Sequence, residues 1–156
     1  MLKYKETQVV FQEIPDEITL AINITGCQIQ CPECHSKHLW EDIGTELSPD
    51  ILNSLITKNK GITCICFMGG DHAPLDILDM AKWLYNEYPL KIAWYSGNNT
   101  IQNCILKHLE YFDYIKIGNF NPEFGPLNNP KTNQKLYKIL KGTNELLDIT
   151  YRFWKS

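Results

Sequence analysis

With 156 residues, 44% of them hydrophobic and 21% charged, the chain has about the length of one domain and enough apolar content to bury a core, which excludes a disordered tail. Its 15 Lys+Arg against 18 Asp+Glu leave a net charge of −3, so the basic excess of a nucleic-acid-binding protein is absent. No apolar run approaches the roughly 20 residues that span a bilayer, so no membrane is expected as a partner.

The N-terminal segment, Met1-Leu2-Lys3-Tyr4-Lys5-Glu6-Thr7, lacks the apolar stretch of a signal peptide, and the expected location is the cytoplasm. Ile18 to Thr25 reads as a first core strand rich in β-branched residues. Ser48-Pro49 reads as an N-cap followed by proline at the first helical position, with Ile51, Leu52, Leu55 and Ile56 at helical spacing behind it. Ile62 to Met68 is a near-continuous apolar run ending in Gly69-Gly70, the pattern of a parallel strand covered on both faces. Pro74 starts a second helix whose apolar stripe includes Leu75, Leu78, Ala81 and Leu84. Leu90 to Tyr95 is a further strand ending at Ser96-Gly97-Asn98; Ile101 to Leu109 fits a third helix, and Tyr114 to Ile117 a fourth core strand ending at Gly118. Residues 119–133 read as a surface loop. Gln134 to Leu140, a Lys141-Gly142-Thr143-Asn144 turn and Glu145 to Phe153 read as a β-hairpin.

Strands alternating with helices imply right-handed βαβ units. A complete eight-fold barrel takes about 250 residues. The expected fold is therefore α/β: a single domain over 1–156 built as a partial (β/α) barrel, with a mainly parallel sheet and a C-terminal β-hairpin. In such sheets ligands sit at the C-terminal ends of the strands. The cysteine loop, Gly69-Gly70-Asp71, Ser96-Gly97-Asn98 and Gly118-Asn119 all follow strands.

The central signal is Cys27-Gln28-Ile29-Gln30-Cys31-Pro32-Glu33-Cys34, directly after the first core strand. Six cysteines in 156 residues are too few for a disulfide scaffold, and clustered thiols in a reducing compartment point to metal or redox chemistry. Three thiolates from one loop can hold three corners of a metal cluster. An iron–sulfur cube normally takes four cysteines, so three leave one iron open. Competing readings are a structural zinc site completed by His35 or His38, a thioredoxin-like pair at Cys31 and Cys34, and unliganded core thiols. Cys64 and Cys66, inside an apolar strand, and Cys104, within the third helix, read as small buried hydrophobes. His72 and His108 read as structural, Lys116 as a packing or solvated lysine, and Trp83 and Trp94 as core.

The spacing Cys27-x3-Cys31-x2-Cys34 resembles the signature of the radical S-adenosylmethionine superfamily. Gly26-Cys27 through His35-Ser36, then Trp40, is similar to the anaerobic ribonucleoside-triphosphate reductase activating proteins. So are Phe67-Met68-Gly69-Gly70-Asp71, Trp94-Tyr95-Ser96-Gly97, Asp113 to Gly118, Gly125-Pro126-Leu127, Thr132-Asn133-Gln134-Lys135-Leu136-Tyr137 and Asp148-Ile149-Thr150. The resemblance runs along essentially the whole chain and fits a short form of that family. Glu33 stands where many superfamily members carry an aromatic residue.

The resemblance implies a 4Fe–4S cluster on Cys27, Cys31 and Cys34, with S-adenosylmethionine on the open iron. It implies cosubstrate contacts at Glu33, Cys34, His35, Gly69, Gly70 and Asp71, and at Ser96 and Gly97. Asp71 would pair with the methionyl ammonium or shape its turn; read without the resemblance, it is a helix N-cap. Reductive cleavage would give methionine and a 5′-deoxyadenosyl radical, which takes hydrogen from a glycine on the C-terminal loop of the anaerobic reductase. A flavodoxin or ferredoxin would supply the electron. The alternatives are an activase of a different glycyl radical enzyme and a zinc-binding interaction domain without catalytic activity.

Overall fold

The computed structural model describes residues 2–26 and 44–154. Eight strands form one open sheet in the order β3-β1-β2-β4-β5-β6-β7-β8. They are β1 (Lys3–Val10), β2 (Thr19–Ile24), β3 (Thr45–Glu46), β4 (Cys64–Met68), β5 (Lys91–Tyr95), β6 (Tyr114–Ile117), β7 (Lys135–Leu140) and β8 (Glu145–Asp148). Helices α1 (Pro49–Lys58), α2 (Pro74–Glu87) and α3 (Asn103–Leu106) interleave with the central strands.

The central pairs β2/β4, β4/β5 and β5/β6 are parallel. The outer pairs β1/β2, β1/β3, β6/β7 and β7/β8 are antiparallel. The sheet of the described residues is thus mixed, with parallel character confined to the middle. The physical division is clear in burial. Along β2, Leu20, Ile22 and Ile24 pack with Ile65 and Phe67 of β4, Ile92 and Trp94 of β5, and Ile115 and Ile117 of β6 on the face that the helices cover. Leu52 of α1, Ile77, Leu78, Ala81 and Leu84 of α2, and Ile105 of α3 complete that core. The alternate positions Cys64, Cys66, Ala93, Tyr114 and Leu136 face the other way, under Ile14 and Ile149. Buried on both faces, β4 must be apolar throughout, which is why it reads as an unbroken run.

Local signals place the elements. Ser48 caps α1: its Oγ accepts from Ile51 N at 3.3 Å, and proline opens the helix. Two expectations need correction. The third helix, expected over Ile101 to Leu109, is a short α3 followed by a 3-10 turn at Leu109–Tyr111. The second hairpin strand stops at Asp148, because Asp148 accepts from Thr150 N and turns the chain into a 3-10 turn at Thr150–Phe153. β1, for which the sequence predicts no element, pairs along β2 from Val10 to Tyr4.

Candidate functional site

The carboxyl ends of β2, β4, β5 and β6 lie along one edge of the sheet, and their loops are stitched to one another in sequence. After β4, Gly69 and Gly70 have φ of +102° and +90°, a backbone that glycine adopts without strain. A Cβ on Gly70 would stand 2.8 Å from Ile77 Cδ1, so this turn lies directly on α2. Two contacts hold Gly69: its N–H donates to Tyr95 O at 3.0 Å, and its carbonyl accepts from the Trp94 indole Nε1 at 2.7 Å. Trp94 is fully buried, as its core reading expects, and it also fixes the first glycine of the turn.

Asp71 does not cap α2. The cap position is Ala73, with no side-chain cap bond. The Asp71 carboxylate instead crosses to the loop after β5. One oxygen accepts from Ser96 Oγ and from Asn98 Nδ2 (3.2 Å), and the other from Gly97 N at 2.8 Å. Asn98 N in turn donates to Ser96 Oγ at 3.1 Å. Hydrogen bonds to an ionised acceptor are the stronger kind. Asp71 therefore sets the spacing between two loops. Its bonds bring together four of the residues singled out in the sequence, Gly70 beside it and Ser96 and Gly97 across from it.

The third stitch is Lys116, on β6 and only 8% exposed. Its Nζ donates to Gly118 O at 2.8 Å and to Ser96 O at 3.3 Å, and lies 5.6 Å from the centre of the Tyr95 ring. Gly118 N closes the chain of loops by donating to Asn98 O at 2.6 Å. This lysine is a buried strut.

At the other end stands Gly26, the residue before Cys27, with φ of +79°. A Cβ there would lie 3.2 Å from His72 Cε1 and 3.3 Å from His72 Nε2, so the imidazole occupies the space that a side chain would need. The His72 Nδ1 atom is buried and has no hydrogen-bond partner among the described residues. Nothing in the sequence distinguished His72 from an ordinary structural histidine, because its neighbour across the edge is 46 positions upstream.

Cys27, Cys31, Cys34, Glu33 and His35, with His38 and Trp40, lie outside the described residues. The remaining cysteines do not compete with them as ligands. Cys64 and Cys66 are fully buried, and burial pushes both thiols well above the ordinary cysteine range. Both pack among Ile14, Ala93, Tyr114 and Leu136, as core residues do. Cys104 is half-buried against the helix-face core. His108 is half-buried beside Glu110, with 3.8 Å between Nδ1 and Oε1. Among the described residues no group of three His, Cys, Asp or Glu side chains converges as a metal site, and no helix is long and apolar enough to cross a membrane.

The residues at this edge suit a bound cluster. The donor set offered by the sequence is three cysteines in eight positions, a soft set matched to iron–sulfur or zinc. The backbone that leads into it is glycine with its Cβ space filled, and an unpaired buried nitrogen stands beside it. The family model for a 4Fe-4S single cluster domain matches residues 18–138, from just before β2 into β7. The chain belongs to the 4Fe-4S single cluster domain family. No curated protein and no solved structure matches it.

Proposed function

We propose that this protein is a radical S-adenosylmethionine activating enzyme that generates a glycyl radical on an anaerobic ribonucleoside-triphosphate reductase. The observation that carries the reading is the three-cysteine spacing of Cys27, Cys31 and Cys34 in a chain of the 4Fe-4S single cluster family. Three ligands leave one iron of a cube without a protein donor, as a reactive centre requires. When bound together, a 4Fe–4S cluster and S-adenosylmethionine supply reductive cleavage of the sulfonium C–S bond, with the electron delivered by a flavodoxin or ferredoxin.

The chain's own residues bind, orient and exclude water. Gly69 and Gly70, both at positive φ and without side chains of their own, let a ligand come close to the backbone of this turn. Asp71 holds the loop of Ser96 and Gly97 against that turn, so the two loops act as one wall. Glu33 and His35 would meet the cosubstrate from the cluster side. Ile24 and Ile29, on either side of Cys27, would keep solvent from the cluster. Read as a partial barrel, the open sheet leaves room for the glycine-bearing loop of a protein substrate.

Anaerobic reconstitution tests this. The expected product is a brown protein with iron and sulfide near four each per chain, which forms 5′-deoxyadenosine when reduced with S-adenosylmethionine. Electron paramagnetic resonance should then find a glycyl radical on the reductase. A radical on a different glycyl radical enzyme instead would change the partner and keep the chemistry. A colourless protein with one zinc per chain would overturn the reading.

A further inference from the structure

The Gly26–His72 contact joins the turn after β4 to the backbone that enters the cysteine loop. His72 stands on a rigid base. Asp71 before it is tied to three donors, and Ala73 after it donates from its N–H to Gly70 O at 3.0 Å. Its ring edge fills the place of a side chain on Gly26, so the ring limits where that backbone can go. Its Nδ1 would lie 3.7 Å from a Cβ at Gly26, one residue before the first cysteine of the motif. That nitrogen is buried and unpaired among the described residues. Buried polar atoms in folded proteins are almost always paired, so an exception calls for an explanation.

We propose that His72 positions the cysteine loop through Gly26 and that its Nδ1–H donates a hydrogen bond to an anionic acceptor brought there, a cluster sulfur or the carboxylate of the cosubstrate. This rests on the reading of the loop as a cluster site. A thiolate or sulfide and a carboxylate share the chemistry an imidazole N–H recognises. Hydrogen bonds to cluster sulfurs raise the reduction potential.

The test compares His72→Leu, which removes the nitrogen, with His72→Asn, whose amide N–H₂ can take the place of Nδ1–H. Three quantities are read on anaerobically reconstituted protein: iron and sulfide per chain, the reduction potential without cosubstrate, and the dissociation constant of S-adenosylmethionine. If the acceptor is a sulfur, His72→Leu disfavours reduction about tenfold, about 59 mV for one electron. If it is the carboxylate, the potential without cosubstrate holds and S-adenosylmethionine binds about tenfold more weakly. In either case His72→Asn recovers most of the loss, and if His72→Leu fails to load a cluster, His72→Asn should load one. The proposal is overturned if His72→Leu matches the wild type in all three readouts, or if His72→Asn behaves no better than His72→Leu. A wild-type protein that takes up no iron refutes the cluster reading instead; four irons that ignore His72 refute only this inference.

Discussion

Asp71 offers the sharpest perturbation, because its carboxylate joins two loops that the sequence separates by 25 positions. Asp71→Ala removes the acceptor of Gly97 N and Asn98 Nδ2 and frees the Ser96 hydroxyl. Hydrogen bonds to a charged group contribute about 1.5–3 kcal/mol each, net of water. The site is half-buried, so water recovers part of each bond, and the hydroxyl can turn to a new acceptor. A total loss of about 2–4 kcal/mol follows for the three. In a domain of this size each kcal/mol lowers the melting temperature by about 2–4 °C, so the expected fall is about 4–16 °C. Asp71→Asn keeps one oxygen for Gly97 N but faces Asn98 with a second donor group, and should lose about half as much. Thermal unfolding followed by circular dichroism, run beside the 5′-deoxyadenosine assay, separates two roles. If Asp71→Ala melts with the wild type while activity vanishes, Asp71 acts on the ligand and the loop-tie argument is wrong.

Two further tests address the same edge and the core behind it. Gly70→Ala should destabilise the protein by about 1–3 kcal/mol, the strain of an L side chain at φ +90°, with the contact on Ile77 Cδ1 added to it. Ile77→Val, which deletes that methyl, should soften the loss in the double variant. Urea denaturation of the four proteins gives the coupling, and strict additivity would show that Ile77 is not the obstacle. Stability should also fall at alkaline pH. Burial pushes the Cys64 and Cys66 thiols up, and it pushes the Tyr114 phenol, aided by the Glu17 charge, up to about 12. The folded values exceed the unfolded ones, so the folded chain keeps protons that the unfolded chain releases. The stabilisation is complete below the unfolded thiol value, near pH 9, and is lost as pH rises toward the folded values. Each group adds up to about 1.4 kcal/mol per pH unit to the slope. The urea midpoint should be level from pH 7 to about 8.5 and drop above 9, less steeply in Cys66→Ala. A level midpoint through pH 10.5 would refute this.

Much of the protein is legible in its residue order because the relevant forces are local. The unbroken apolar run of β4 follows from burial on both faces, and the Ser48-Pro49 start of α1 from the unpaired amides of a first helical turn. The three cysteines within eight positions point to metal or redox chemistry because one short segment carries them all. The choice among iron–sulfur, zinc and redox chemistry then rests on family membership, which supports the cluster. What spacing along the chain cannot express is contact between distant segments. β1 holds its place by pairing with β2, although its own residues carry no strand alternation. Asp71 reads as a helix cap by propensity, yet its carboxylate reaches the next loop because parallel pairing of β4 with β5 sets the two strand ends side by side. Trp94 reads as bulk, and only its register against Phe67 aims the indole N–H at Gly69. His72 stands against Gly26 because β2 and β4 are neighbours in the sheet. The ligand types are thus written in the order of residues, while the arrangement that holds them is decided by which strands lie next to one another.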